Sequence, residues 1–296
     1  TRGLLAPRAV SCLLHGDEST GLEAVLRILR RELTYPFDLY VVIGNVRAAA
    51  ESPGFAHRYL DDQEDFNRVW GLDAPTTSQR LAADGILARL QAAGLEALVD
   101  VHNNSGNNPF YAIATRDDPR DLNLATLFTS TLLRWDLMAN TLMESLPREV
   151  AAIAVECGLP GRPESLAFAV DGLRRYLGEP PLVTDRIVRD FDLLGGLRKV
   201  TIRPDVDFVV AADADLVNFV EVPEGHVIGR VRPGATLPLR AVAADGTDVT
   251  DSHFTVDGDR VVTTVATTPV MMTRTVPAAR KDCLFYVSTE LPPPNL

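Results

Sequence analysis

The sequence predicts an α/β fold followed by a smaller, mainly β C-terminal domain, and three observations carry that reading. Up to about residue 178, short apolar runs that suit buried strands alternate with segments of helical period. Three of the runs end in a polar, chemistry-bearing residue, His15, His102 or Glu156, and open α/β sheets build their sites at the C-terminal ends of their strands. Beyond about residue 190 the texture changes to short alternating or β-branched segments separated by Gly- and Pro-containing turns. The expected division is therefore a main domain over 1–190 and a β domain over 191–296.

Taken in order, residues 10–14 read as the first strand. Residues 22–33 follow as a helix, with Leu22, Val25, Leu26, Leu29 and Leu33 on one face. Pro36 precedes a second buried strand over 37–43, and strand, helix, strand suggests a parallel unit. Residues 48–70 are irregular and acidic. Thr76 or Thr77 can cap a helix over 79–93, which Gly94 ends. The strand over 95–101 delivers His102 into Asn103-Asn104-Ser105-Gly106-Asn107-Asn108-Pro109, whose composition is that of a turn. A strand over 110–115, a helix over 122–133, a strand over 150–155 and an amphipathic helix over 163–177 complete the first part, with Gly178-Glu179-Pro180-Pro181 as the breaker. Later strands are expected within 199–202, 207–210, 216–222, 227–231, 259–265 and 284–287.

At 296 residues the chain can bury a full α/β core. Twenty-nine basic against forty acidic residues give a net charge of −11, which argues against a nucleic-acid partner. No apolar run approaches the ~20 residues a bilayer span needs, so no membrane partner is expected, and Thr1-Arg2-Gly3 shows no secretory signal. The chain starts without Met, which leaves room for further N-terminal sequence. Cys12, Cys157 and Cys283 are odd in number and set among apolar neighbours, so buried thiols in a reducing, cytoplasmic compartment are expected. The composition leaves a homo-oligomer open.

His15 and Glu18, three residues apart in a turn bracketed by Gly16 and Gly21, have metal-ligand spacing. A lone His-x-x-Glu pair is more often a surface hydrogen bond. His102, at the end of a second strand, is the best candidate for a third ligand. Two nitrogens and one carboxylate suit a single zinc ion and leave a position open for water, the arrangement of hydrolytic zinc sites. Asp65-Phe66-Asn67-Arg68 adds a guanidinium and an amide side by side, able to recognise a carboxylate. Asp65 reads either as a partner that holds Arg68 or as half of a surface ion pair. Arg47, Arg68 and Arg148 could together make a positive pocket within an acidic molecule.

Five motifs in order, His15-Gly16-Asp17-Glu18, Asn45-Val46-Arg47-Ala48, Asp65-Phe66-Asn67-Arg68, Asp100-Val101-His102-Asn103 and Val155-Glu156-Cys157-Gly158, resemble those of the succinylglutamate desuccinylase/aspartoacylase family, a branch of the zinc carboxypeptidase superfamily. The resemblance covers residues 15–158 closely and the rest loosely. It implies a carboxypeptidase-like mixed sheet flanked by helices, with the β domain restricting access to the site. It also implies zinc on His15, Glu18 and His102, Glu156 as general base and then acid, and Arg47 facing the oxygen that becomes negative. Asn67 and Arg68, with Arg148 as a further candidate, would hold a small anionic N-acyl amino acid. Two alternatives stay open: a metallocarboxypeptidase acting on peptide C-termini, and a metal-binding or sensing protein of the same fold. The stretch 269–278 departs from the family pattern, because it lacks an aromatic substrate-facing pair.

Overall fold

The computed structural model describes residues 4–31, 34–72, 76–178, 186–204, 206–273, 275–292 and 294. In chain order the regular elements of the first part are β1 (Arg8–Cys12), α1 (Ser19–Leu29), β2 (Leu39–Ile43), α2 (Val46–Ala50), α3 (Ser78–Ala93), β3 (Ala97–His102), β4 (Tyr111–Ala114), α4 (Pro119–Ala125), β5 (Thr131–Arg134), β6 (Ala151–Glu156) and α5 (Pro163–Gly178). They continue as β7 (Asp192–Ile202), β8 (Phe208–Val210), β9 (Val227–Val231), β10 (Leu239–Ala243), α6 (Thr250–His253), β11 (Phe254–Asp257), β12 (Arg260–Thr263), β13 (Thr268–Val270), α7 (Val276–Lys281) and β14 (Phe285–Leu291).

The main sheet has ten strands in the order β13-β14-β7-β5-β4-β6-β3-β1-β2, with β10 also paired to β7. It is mixed, as expected: β2, β1, β3 and β6 run parallel, whereas β4 is antiparallel to β6 and parallel to β5. Every residue of β1, β3 and β6 is buried, which is why these strands read as continuous apolar runs rather than as alternating ones. Their side chains still alternate between faces. Val10, Val99, Val101, Ile153 and Val155 pack with Val25 and Ile28 of α1 and Leu173 and Tyr176 of α5. Ala9, Leu98, Ala152 and Ala154 pack on the other side with Trp70, Ala83 and Leu90. The sheet is thus covered by helices on both faces.

Beyond residue 190 the chain is mainly β, and its strands divide between two sheets. β7, β10, β13 and β14 extend the main sheet, with β7 parallel to β5, while β11-β12-β9-β8 form a smaller antiparallel sheet. A third core, with Val200, Leu239, Phe254, Val261, Leu284 and Phe285, lies between them. No helix of the described residues is long and apolar enough to cross a membrane.

Several element boundaries differ from the sequence reading. The helix expected over 22–33 runs from Ser19 to Leu29, and position 33 lies outside the described residues. The helix expected over 122–133 is two elements. α4 starts earlier, with Asp118 accepting from the Arg120 N–H and Pro119 in its first turn, and ends at Ala125. Residues 131–134 are strand β5, whose Leu132 and Leu133 are buried between β4 and β7. Of the expected strand 216–222 only a bridge from Val222 to Thr267 is present, and 214–217 form a 3-10 turn. The breaker after α5 falls largely outside the described residues, at 179–181.

Candidate active site

Three parallel strands bring the site together. β3 and β6 are in register, with His102 opposite Glu156 at their C-terminal ends, and Cys12 at the end of the neighbouring β1 is opposite Val101. After β1 the backbone turns through Leu13, which has a φ of 60°, and places His15 beside His102 with ring centroids 5.3 Å apart. Gly16 permits this turn. A Cβ there would lie 2.6 Å from the His57 carbonyl oxygen and the Ala49 nitrogen, and the Gly16 N–H donates to the Arg58 carbonyl at 2.9 Å. Glu18 is the N-cap residue of α1, yet its carboxylate makes no cap hydrogen bond. It faces the two imidazoles instead.

His15 Nδ1 lies 2.7 Å from one Glu18 oxygen and His102 Nδ1 lies 2.7 Å from the other. On the far side of each ring, His15 Nε2 lies 3.0 Å from Asp65 Oδ1 and His102 Nε2 lies 2.8 Å from Asp100 Oδ2. Carboxylates at both Nε2 atoms accept from Nε2–H, which leaves both Nδ1 atoms facing Glu18, where each donates to its carboxylate as an imidazolium and would offer its lone pair to a cation. The ligand atoms of His15, Glu18 and His102 lie within 4.8 Å of one another, and all three residues are buried. Two imidazole nitrogens and a carboxylate, each imidazole oriented by a second carboxylate, fit a divalent zinc-like ion. The same network sets the charges. Burial opposes ionisation of Glu18, but His15 and His102 hold its pKa well below the carboxylate range. Burial likewise lowers the His102 pKa, while Asp100 and Glu18 outweigh it and raise it well above the ordinary value.

Glu156 is buried beside this group, and the Asn104 side-chain amide donates to its Oε2 at 2.8 Å. Burial pushes its carboxyl up to about 7; the His102 charge opposes that shift and Glu18 adds to it. Cys157, the next residue on the chain, belongs to the opposite core face, and burial raises its thiol pKa well above the ordinary value, so it stays protonated.

A cavity of about 570 Å³ opens onto the site and is lined by His15, Glu18, Arg58, Asn67, Arg68, His102, Asn104 and Glu156 among others. Asn67 is fixed by the Leu142 N–H, which donates to its Oδ1 at 3.1 Å, and its Nδ2 lies 3.3 Å from His102 Nε2. Arg68 donates to the Asn67 carbonyl at 2.8 Å and to Asp282 at 3.0 Å. Its partner is therefore Asp282, whereas Asp65 serves His15 and Arg58.

Two of the predicted arginines are elsewhere. Arg47 lies on α2, where Ala48 and Ala49 pack inward against Gly16. Successive helix positions differ by about 100°, so the Arg47 side chain points out, 61% exposed, and pairs with the equally exposed Asp62 at 2.8 Å. Arg148 is exposed at the N-terminal end of β6, separated by roughly 20 Å of extended strand from Glu156 at the other end. Neither residue lines the cavity.

The guanidinium nearest Glu18 is that of Arg58, which the sequence reading did not single out. Asp65 accepts from its Nε at 3.1 Å and lies 3.0 Å from its Nη2, which leaves Nη1 3.8 Å from Glu18 Oε1. The signal was an arginine at the head of the acidic run 61–65, whose charge needs partners. Asp100 had a clearer one, a carboxylate inside an otherwise apolar buried strand, two residues before His102 and so on the same face. The turn reading of 103–109 holds for its backbone but not for its first two side chains. Asn103 accepts from the Thr20 N–H and donates to the Gly158 carbonyl, and Asn104 binds Glu156.

No family model matches the sequence, and no curated protein matches it. Solved structures do match the fold. A succinylglutamate desuccinylase from Chromobacterium violaceum is 17% identical with a TM-score of 0.64, the alignment covering 99% of this chain and 87% of that one. Murine aminoacylase 3 is 17% identical with a TM-score of 0.65, over 98% of this chain and 97% of that one. A succinylglutamate desuccinylase/aspartoacylase from Rhodobacter sphaeroides is 15% identical with a TM-score of 0.64, over 98% and 87%. The chain therefore has the fold of the succinylglutamate desuccinylase and aspartoacylase structures, the fold that its five ordered motifs resemble.

Proposed function

We propose that the protein is a zinc-dependent deacylase that cleaves the amide bond of a small N-acyl amino acid. The observation that supports this most strongly is the meeting of His15, Glu18 and His102, each imidazole oriented by its own carboxylate, with Glu156 opposite His102 across two paired strands. A zinc ion held by these three ligands would supply Lewis acidity toward water and toward the scissile carbonyl.

The chain's own residues would perform the remaining steps. Glu156 takes a proton from the attacking water and passes it to the leaving amine, and a carboxyl pushed up toward neutrality by burial suits both transfers. Asn104 keeps that carboxylate aimed by donating to Oε2, so Oε1 remains for the proton. Arg58 takes the role first expected of Arg47. With Nε and Nη2 held by Asp65, its Nη1 is preorganised beside Glu18 for the oxygen that gains negative charge. Asn67 and Arg68 bind the substrate carboxylate.

A cavity of about 570 Å³ is in the range of small-molecule sites, which favours an amino-acid derivative over a protein substrate. The β segment beyond residue 190 would limit access, since Met271, Thr275, Pro277, Asp282 and Cys283 line the same cavity. Three free, buried thiols support a reducing compartment such as the cytoplasm. The deciding experiment is a screen of N-acyl amino acids and dipeptides against the zinc-loaded protein. Release of free amino acid from the former supports the reading, turnover of dipeptides alone replaces it with a peptidase, and no turnover of either refutes it.

A further inference from the structure

The chain supplies its own carboxylate at the substrate end of the cavity. Asp282 Oδ2 accepts from Arg68 Nη2 at 3.0 Å, and its Oδ1 accepts from Lys199 Nζ at 2.7 Å. The two cations hold it from different elements. Arg68 lies in the irregular stretch between α2 and α3, and Lys199 lies on β7, opposite Tyr286 of β14 in register. Asp282 itself lies in the short connection between α7 and β14, and both Asp282 and Arg68 line the cavity. Beside this pair the wall is apolar. Ile113, Trp135, Met143, Ala154 and Cys283 belong to one core cluster that surfaces in the cavity, with Met271 packed against it, and Tyr286 meets Trp135 edge-on at 5.3 Å.

We propose that Asp282 determines specificity by filling, from within the chain, the place that a second substrate carboxylate would take beside Arg68. The cavity then selects N-acyl amino acids with one carboxylate and an apolar side chain, which rests on Ile113, Trp135, Met143, Ala154, Met271 and Cys283. This rests on the deacylase reading and deepens it. An N-acyl aspartate or glutamate would bring a second negative charge against Asp282 and lose water without gaining a partner in return. An apolar side chain loses only unfavourable hydration on the same wall. Arg68 presents five N–H donors, so the pairing with Asp282 is compatible with one substrate carboxylate, held together with Asn67. Two would compete with Asp282 for the same fork. Discrimination thus comes from a repulsive group as well as from an attractive surface.

The test compares kcat/KM of the zinc-loaded wild-type protein and Asp282→Asn on N-acetylphenylalanine, N-acetylleucine and N-acetylaspartate. Calorimetric binding of the same compounds to Glu156→Gln, with and without Asp282→Asn, gives a readout independent of turnover. The wild type is expected to favour the apolar substrates by about tenfold or more, and Asp282→Asn to narrow that ratio by about tenfold through a gain on N-acetylaspartate. The binding ratios should move the same way. Asp282→Ser takes the place of Asp282→Asn should the latter fail to fold. A wild type that prefers N-acetylaspartate overturns the proposal, as does a ratio unmoved in a folded, zinc-loaded variant. Absence of turnover with the binding preference intact removes the deacylase reading but leaves the assignment of Asp282. Absence of binding removes both.

Discussion

Asp100 and His102 stand two residues apart on β3, so their side chains share one face of the sheet, and the Asp100 carboxylate meets His102 Nε2 at 2.8 Å. Asp100 is fully buried, and the hydrogen bond fixes which ring nitrogen points at Glu18. Asp100→Asn keeps the shape but gives up the charge that favours this tautomer and makes the imidazole a better donor. Zinc affinity, measured by competition with a chelating indicator, is expected to fall by about 10–100-fold. Unchanged affinity would show that the pairing plays no part in metal binding.

Arg58 and Arg47 offer a paired contrast. Arg58→Ala removes the guanidinium that Asp65 aims toward Glu18, and kcat is expected to drop by about 10²–10³ with zinc content preserved. Arg47→Ala breaks only an exposed ion pair with Asp62, so activity should hold and stability should change by less than about 1 kcal/mol. The opposite pattern in steady-state rates would return the oxyanion role to Arg47.

Glu156→Gln is nearly isosteric yet cannot accept a proton. Turnover should disappear while metal content stays that of the wild type. Burial raises the pKa of Glu156 to about 7, and a cation held by His15, Glu18 and His102 would draw it down. The base works only when ionised, so kcat/KM should fall as pH drops through an acidic limb at or below about 7. Rates that are flat from neutral pH down to pH 5 would argue for a different base.

Asp282 gives a stability prediction that does not involve catalysis. Burial alone would raise its pKa, but Arg68, Lys199 and Arg58 outweigh that and lower it from 3.8 to about 2. A carboxylate depressed in the folded state stabilises it at pH values above about 4, and the contribution disappears as pH falls through about 2. The shift of nearly two units corresponds to about 2 kcal/mol. In urea unfolding, the wild type should lose that much more stability than Asp282→Asn between about pH 5 and pH 2. Parallel losses would mean that the Arg68–Asp282–Lys199 group contributes nothing.

What the sequence made legible was local. His15 and Glu18 are three residues apart, and His102 and Glu156 each end an apolar strand, so the geometry of a parallel sheet was enough to expect them together. Side chains that meet through long-range contacts left no comparable trace. Arg58 reaches the site because its carbonyl docks on the Gly16 N–H, 42 residues earlier in the chain. Asp282 meets Arg68 across 214 residues. Residues 122–133 read as one helix because Leu122, Leu124, Leu127, Leu132 and Leu133 suit helix and buried strand about equally when taken without their partners. Motif position alone points to Arg47, and the inward packing of Ala48 and Ala49 that turns it to the surface is a tertiary fact.

The hydrogen-bonded continuity from β3 through β6, β4 and β5 into β7 and β14 has a practical consequence for dissecting the molecule. Cutting the chain near residue 190 would strip β5 of its neighbour and uncover the backbone beside Leu132 and Leu133, a sticky edge of the kind that recruits other chains into aggregates. It would also take away Asp282 and the Met271–Cys283 side of the chamber. His15, Glu18 and His102 and the wall facing them are therefore inherited as one piece, and a minimal fragment that keeps the cavity should be sought by trimming loops rather than by halving the chain.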